Sequence, residues 1–447
     1  MFIKQLYTNC LSEAAYYIES EGQAAVIDPL RDIDEYLQLA SERNAKIKYI
    51  FETHFHADFV SGHIDLSKAS GAPIVYGPDT ETNFPIHLAK DGESFQLGAV
   101  TITAIHTPGH TLESTCYLLK DQQGKPHALF SGDTLFVGDV GRPDLFSGNL
   151  TKEELASMMY DTLQTKIASL PDDVIVYPAH GPGSACGKNL GPSTYSTIGS
   201  EKETNYALKA QSREEFIKAV TEGLNEPPQY FPINARINKE GYESLEHLIV
   251  NFKAMSVGEF KPVVSDPDVI ILDTRRATEF TNGFVPGSIS IGLEGRFAEW
   301  AGSLLSFKKN LYLVTEIGKE QESLVRLARV GFDKIKGYLK GGFEAWKDAG
   351  EQIDMVIEVD PDEMLMDLPY DKQMVVLDVR REPEFADGHI AGAVNLPLND
   401  MNDPGSMANI NETDNVYVHC ASGYRSVVAS SLLKKQGIHN IRNVTGG

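Results

Sequence analysis

The sequence predicts a multi-domain α/β protein, and three observations carry that expectation. The chain has 447 residues, which at roughly 150 residues per domain suggests about three domains. Its first part, to about residue 250, alternates short apolar runs with polar, helix-patterned stretches and Gly/Pro punctuation, the texture of alternating strands and helices. The remainder repeats itself at a constant interval. A hydrophobic content of 42% is ample for buried cores.

Composition excludes several classes. No segment approaches the ~18 apolar residues of a membrane span, and the start, MFIKQLYTNCLSEAAYYIES, lacks the apolar centre of a signal peptide, so a cytoplasmic protein is expected. Lys and Arg number 40 against 63 Asp and Glu, a formal charge of -23. Such a surface repels polyphosphate, which argues against nucleic acid and anionic membranes as partners. Cys10, Cys116, Cys186 and Cys420 are too few and too scattered for a disulfide scaffold, so each serves packing or chemistry. A homo-oligomer is the expected assembly.

In chain order, AAVIDP, IKYIFETHF, VTITAIHTPGH, HALFSGDT and DVIVYPAHG read as strands, and four of them end in a metal-ligating side chain. Strand ends lead into loops, where a rigid sheet holds functional groups. Between about 200 and 260 the texture is helical and charged and contains EPPQYFPIN; this closes a first domain, 1–245, and forms a connector.

The rest is a tandem pair. LDTRRATEF at 272–280 matches LDVRREPEF at 377–385; Gly283 and Gly287 match Gly388 and Gly392; LYLVT at 311–315 matches VYVHC at 416–420; Gly341 and Gly342 match Gly446 and Gly447. Every pair is 105 residues apart, so two copies of one α/β domain are expected, at 256–353 and 356–447. The first copy continues past its glycines into FEAWKDAG, an expected helix; the second stops at Gly447, which reads as a truncated terminus.

The first domain concentrates metal-ligating groups. THFHAD supplies His54, His56 and Asp58, TPGH supplies His110, SGDT supplies Asp133 and YPAHG supplies His180. Imidazole with carboxylate suits Zn²⁺ or Fe²⁺. In an extended segment His54 and His56 would project to one side, into one cavity. A single such histidine would pass for an ordinary polar residue; six groups at successive strand ends point to a metal site.

The order HxHxD, TPGH, SGDT, PAHG resembles the metallo-β-lactamase fold, an αββα sandwich, over about residues 1–240. That family's usual pattern is HxHxDH, whose last His serves a second metal; Phe59 stands there in this chain and cannot coordinate, so a mononuclear centre is expected. ETHFHADFVSGH, SGDTLFVGDVGRPDL and GPGSACGKNLG resemble persulfide dioxygenases in particular. This resemblance implies one Fe(II) per chain held by His54, His110 and Asp133, a two-His-one-carboxylate triad with open positions. It places His56, Asp58 and His180 around the ligands as orienting or cavity residues. Arg142 in GRPDL resembles a family position beside the substrate entrance, where it could bind a carboxylate of the thiol cosubstrate; a solvated loop arginine is the other reading. Cys186, in PGSACGKN, could line the cavity and relay sulfur or be a small buried hydrophobe. Cys10 and Cys116 read as packing.

The second copy carries VHCASGYRS, a strand ending in Cys420, a short loop and the start of a helix. Inward amides and a helix N-terminus favour a thiolate and an anion there, and Arg425 adds a fixed charge. With LDVR and GHIAGAVNLP, this six-residue Cys-x4-Arg loop resembles rhodanese sulfurtransferases. The first copy resembles rhodanese in frame only: Thr315 stands for the cysteine and Glu320 for the arginine, so it cannot carry sulfane sulfur and reads as a spacer or docking surface.

The resemblances together imply a persulfide dioxygenase fused to an inactive and an active rhodanese-like domain. Such a chain would oxidise the terminal sulfur of a low-molecular-weight persulfide with O₂ to sulfite and pass sulfane sulfur through Cys420, yielding thiosulfate in sulfide detoxification. Two rivals stand beside it: a glyoxalase-II-like thioester hydrolase with a dinuclear centre, and a non-oxidative sulfur carrier or sulfide-sensing protein.

Overall fold

The computed structural model describes residues 1–145 and 150–447. They divide into two compact units, Met1–Leu245 with Ala328–Gly331, and Glu246–Leu327 with Phe332–Gly447.

Among the described residues the first unit holds two six-stranded sheets. One runs Phe2–Thr8, Glu13–Ser20, Gln23–Ile27, Lys46–Phe51, Ile74–Tyr76, His87–Leu88, antiparallel over its first three strands and parallel thereafter. The other runs Ser196–Thr197, Ile175–Pro178, Pro126–Gly132, Thr115–Lys120, Val100–His106, Ser94–Leu97, with one parallel pair. The inner faces meet in a core that includes Tyr16, Ile18, Phe51, Phe95, Ile102, Tyr117 and Phe130. Side chains alternate across each strand, so Ala15 and Tyr17 face the other way, onto Tyr36, Ala40 and Leu66 of the helices Asp34–Glu42 and His63–Ser70. Leu118, Leu129 and Val176 likewise face Ala156 and Met159 of the helix Lys152–Thr162. Both faces of each sheet are therefore buried, and four layers result, helix, sheet, sheet, helix. The expected αββα sandwich is present.

The stretch after residue 197 is helical as the charge pattern predicts: Ile198–Thr204, Arg213–Thr221, Phe231–Glu240 and Leu245–Asn251. Pro232 sits in the first turn of its helix, where its missing N–H has no intrahelical acceptor to lose.

The second unit holds the repeat. Its two five-stranded parallel sheets share one strand order, Lys253–Met255, Ile335–Leu339, Asn310–Val314, Val269–Asp273, Ile289–Ser290 and then Ile357–Val359, Ile441–Val444, Asn415–His419, Met374–Asp378, Val394–Asn395. The copies pack into one unit through the helix Tyr424–Lys435: Ser290 N–H donates to Ser431 Oγ at 3.0 Å, Tyr424 OH to Gly292 O at 3.0 Å, and Lys434 pairs with Asp354 at 2.9 Å. No helix among the described residues is long and apolar enough to cross a membrane.

Candidate metal centre and cysteine loop

Six side chains converge where the two sheets of the sandwich end. The strand Lys46–Phe51 stops before the first histidines, so His54 and His56 lie in the following loop and not in the extended segment expected; the loop still brings their rings to 4.2 Å. His110 follows the strand Val100–His106, Asp133 the strand Pro126–Gly132 and His180 the strand Ile175–Pro178.

His54, His110 and Asp133 are buried, with ligand atoms within 4.8 Å of one another. Asp133 Oδ2 lies 3.7 Å from His54 Nε2 and 3.5 Å from His110 Nε2. Each outer ring nitrogen is held. His110 Nδ1–H donates to the Arg142 carbonyl at 2.8 Å. Thr53 donates its hydroxyl to Asp28 at 2.8 Å, leaving its oxygen to accept His54 Nδ1–H at 2.9 Å. Both Nε2 lone pairs therefore point at one spot, and burial with the neighbouring histidines keeps His54 well below its ordinary pKa, in the neutral form a metal needs. Gly141 permits this approach: a Cβ there would come 2.1 Å from Asp133 O and 2.9 Å from His110 Nδ1. Neither Asp133 oxygen has a hydrogen-bond partner among the described residues. A buried carboxylate without donors is unfavourable unless a cation compensates it. The three residues fit a metal ion.

On the other side of Asp133, His180 Nε2 lies 3.4 Å from Asp133 Oδ1 and 3.6 Å from Asp58 Oδ2. His56, Asp58 and His180 form a second group within the same ligand reach. His56 Nε2, however, faces Asp28 at 3.1 Å and Glu52 at 3.7 Å. Burial would lower its pKa, but the charge and hydrogen bond of Asp28, with Glu52 and Asp58, hold it up at about 10. The Phe59 ring packs 4.3 Å from the His56 ring and supplies no donor. Asp28 and Glu52 are site residues the sequence reading missed; the signal was an acid at the end of AAVIDP and another directly before THFH.

Arg142 is not the solvated loop arginine that one of its two readings expected. It is buried, pairs with Asp144 through two bonds of 2.7 and 2.8 Å and donates to the Asn225 carbonyl at 2.6 Å. It therefore does not sit in solvent, and its carbonyl orients His110. Cys186 is buried beside Asp133 and His180, within ligand reach of both. Burial and the charges of Asp58 and Asp133 push its thiol pKa well up. It borders the candidate metal site at Asp133 and His180. Cys116 is buried in the packing between the outer helices and the second sheet, its pKa raised to about 11 by burial.

Cys420 follows the strand Asn415–His419, and the helix Tyr424–Lys435 begins just beyond it. Gly423 adopts φ +86°, a left-handed conformation glycine reaches without strain, and its N–H donates to Cys420 Sγ at 3.2 Å. Arg425 makes two bonds to Glu384, at 2.8 and 2.9 Å, so its charge is partly balanced at the loop. In the first copy Gly318 keeps the same φ of +86°, while Thr315 and Glu320 occupy the chemical positions.

Comparison with known proteins agrees with this division. Residues 8–180 match the family model of the metallo-beta-lactamase superfamily, and residues 256–349 and 361–447 each match that of the rhodanese-like domain. A solved metallo-beta-lactamase from Staphylococcus aureus subsp. aureus COL is 32% identical, with a TM-score of 0.68 over 76% of this chain and 99% of its own. The cytoplasmic hydroxyacylglutathione hydrolase of Arabidopsis thaliana is 33% identical over 40% of this chain and 67% of its own length. A probable hydroxyacylglutathione hydrolase of Schizosaccharomyces pombe is 32% identical over 36% of this chain and 60% of its own. This chain thus spans only about 60 to 67% of those two relatives.

Proposed function

This chain belongs to the metallo-beta-lactamase superfamily and carries two rhodanese-like domains behind its first domain, and from that premise we propose that it is a persulfide dioxygenase with sulfurtransferase activity. The observation that carries the reading is the pairing, in one chain, of a buried three-donor metal site with a cysteine whose sulfur accepts an N–H at the start of a helix.

His54, His110 and Asp133 would hold one Fe(II), with Thr53 and the Arg142 carbonyl fixing the imidazoles. When bound, the iron supplies the redox chemistry by which O₂ oxidises the terminal sulfur. The overall reaction balances as RSSH + O₂ + H₂O → RSH + H₂SO₃, where RSH is a small thiol. Cys186 and His180 line the cavity beside Asp133, where a sulfur substrate would lie. At Cys420 the thiolate attacks the sulfane sulfur of a persulfide: a new S–S bond forms, the donor's S–S bond breaks and the donor leaves as thiolate. Sulfite then takes that sulfur, restoring the cysteine and giving thiosulfate. The Gly423 N–H stabilises the anionic sulfur at both stages.

A thioester hydrolase is the second reading, and one observation favours it: His56, Asp58 and His180 form a second donor group across Asp133, as a dinuclear centre would require. The curated relatives' names, hydroxyacylglutathione hydrolase, point the same way. Against it stand Phe59 and the hold of Asp28 on His56, and a hydrolase has no use for a sulfur-carrying loop. The deciding experiment loads the protein anaerobically, measures metal per chain, and follows O₂ with glutathione persulfide beside hydrolysis of an acylated glutathione. About one iron per chain with O₂ uptake is expected; two tightly held metals with O₂-independent thioester cleavage would replace the dioxygenase by the hydrolase.

A further inference from the structure

The first rhodanese-like copy keeps a cavity of about 480 Å³ beside the loop that corresponds to the cysteine loop, lined among others by Glu279, Thr315, Glu316, Ile317, Phe343 and Lys347. The 105-residue repeat indicates what has changed there. In the second copy Glu384 is neutralised by Arg425 through two bonds. Glu279 holds the position of Glu384, but Glu320 holds the position of Arg425. The carboxylate has been kept and its guanidinium removed.

No other cation takes that place. Among the described residues Glu279 has no ion-pair partner. Arg275 is committed to Asp273 at 2.6 Å and to the Gly283 carbonyl at 2.9 Å. Lys347 lies 3.7 Å from Glu344, and Arg276, which is exposed, 3.9 Å from Glu316. The lining is left with acidic excess. A second, independent observation concerns Thr315: it is 2% exposed, lines the cavity, and its Oγ1 has no hydrogen-bond partner among the described residues. A buried hydroxyl left unpaired is unfavourable unless a ligand engages it. The loop also keeps the left-handed φ of +86° at Gly318 that Gly423 has in the second copy, while Glu320 stands where Arg425 does.

We infer that this cavity binds a small molecule bearing a guanidinium or primary ammonium group, with the cation against Glu279 and a second polar atom on the Thr315 hydroxyl. Ile317 and Phe343 supply apolar walls for the carbon chain of such a ligand. The inference rests on no part of the metal-site reading.

The test is isothermal titration calorimetry of the full chain with agmatine, with n-butylurea as neutral counterpart and thiosulfate as anion. Saturable one-to-one binding of agmatine is expected, with neither control binding. Glu279→Gln should weaken it about tenfold or more, the loss of one charge-assisted bond. Because Glu279 is exposed, that variant should melt like the parent. Glu320→Arg, which supplies from within the chain the cation that the second copy has, should abolish binding. Absence of saturable heat with millimolar agmatine, unchanged affinity in Glu279→Gln, or equal binding of thiosulfate would overturn the inference.

Discussion

Glu384 and Arg425 grip each other through two charged hydrogen bonds of 2.8 and 2.9 Å, and Arg425 is the main reason the Glu384 carboxyl titrates down at about 2. Because the folded value lies below the ordinary 4.5, the stabilisation is fully present above that value and is lost as pH falls toward about 2. Glu384 is 38% exposed, so solvent screens the pair. Glu384→Gln should cost about 0.5–1 kcal/mol at pH 7. Urea midpoints at pH 7 and pH 3 check this: the gap between parent and variant should shrink at the lower pH, and a constant gap would mean another interaction is responsible.

Gly141→Ala places a methyl group against Asp133 O and His110 Nδ1. Backbone must shift to admit it, and the shift misaims two of the three donors. Metal affinity should fall about 10- to 100-fold, read by competition with a chromophoric chelator, whereas Gly71→Ala, in open space at a helix end, should leave it unchanged.

Arg142→Lys separates a positioning role from a substrate-binding one. Lysine cannot make the two parallel bonds to Asp144, so the chain should lose about 1–3 kcal/mol. KM for a persulfide should stay within about twofold once metal loading is matched. A raised KM at unchanged stability would return Arg142 to the substrate.

Cys420→Ser should fold normally, since thiol and hydroxyl are close in size, but a hydroxyl is too weakly acidic to carry sulfur. Sulfurtransferase activity should vanish while O₂ uptake persists, and product should move from thiosulfate toward sulfite. Chromatography of derivatised products, beside an oxygen trace, measures the shift; an unchanged thiosulfate yield would point to Cys186 or free persulfide as the sulfur donor.

Thr315→Ala should leave sulfur transfer and O₂ consumption within assay error. The hydroxyl is unpaired, so stability should hold or rise slightly in thermal melts. Loss of either activity in the folded variant would give the first copy a part in the chemistry.

The sequence made the sheets and the repeat legible because both leave periodic traces: paired apolar faces in the sandwich, and a 105-residue interval that the two strand orders repeat. The donor residues were legible because each follows a strand. What it concealed was pairing over long separations. Nothing local to GRPDL indicates that the guanidinium reaches Asn225, 83 residues on, and nothing local to AAVIDP indicates that Asp28 will hold His56. The strand before His54 ended early for a comparable reason: Thr53 N–H turns away from the sheet to Asp28 at 2.7 Å.

The helix that starts beside Cys420 is buried along most of its length, Ser426 through Lys434, because it lies between its own sheet and the neighbouring copy. The flank facing that copy carries Ser431, whose Oγ accepts the Ser290 N–H and donates to the Val428 carbonyl at 2.6 Å; Ser430, also buried, ties its hydroxyl to the Ser426 carbonyl at 2.8 Å. The copy that carries Thr315 is therefore a foundation wall. Cut it away, and the domain that carries Cys420 would meet solvent with a face composed for an interior, so the two copies should express and melt as one piece.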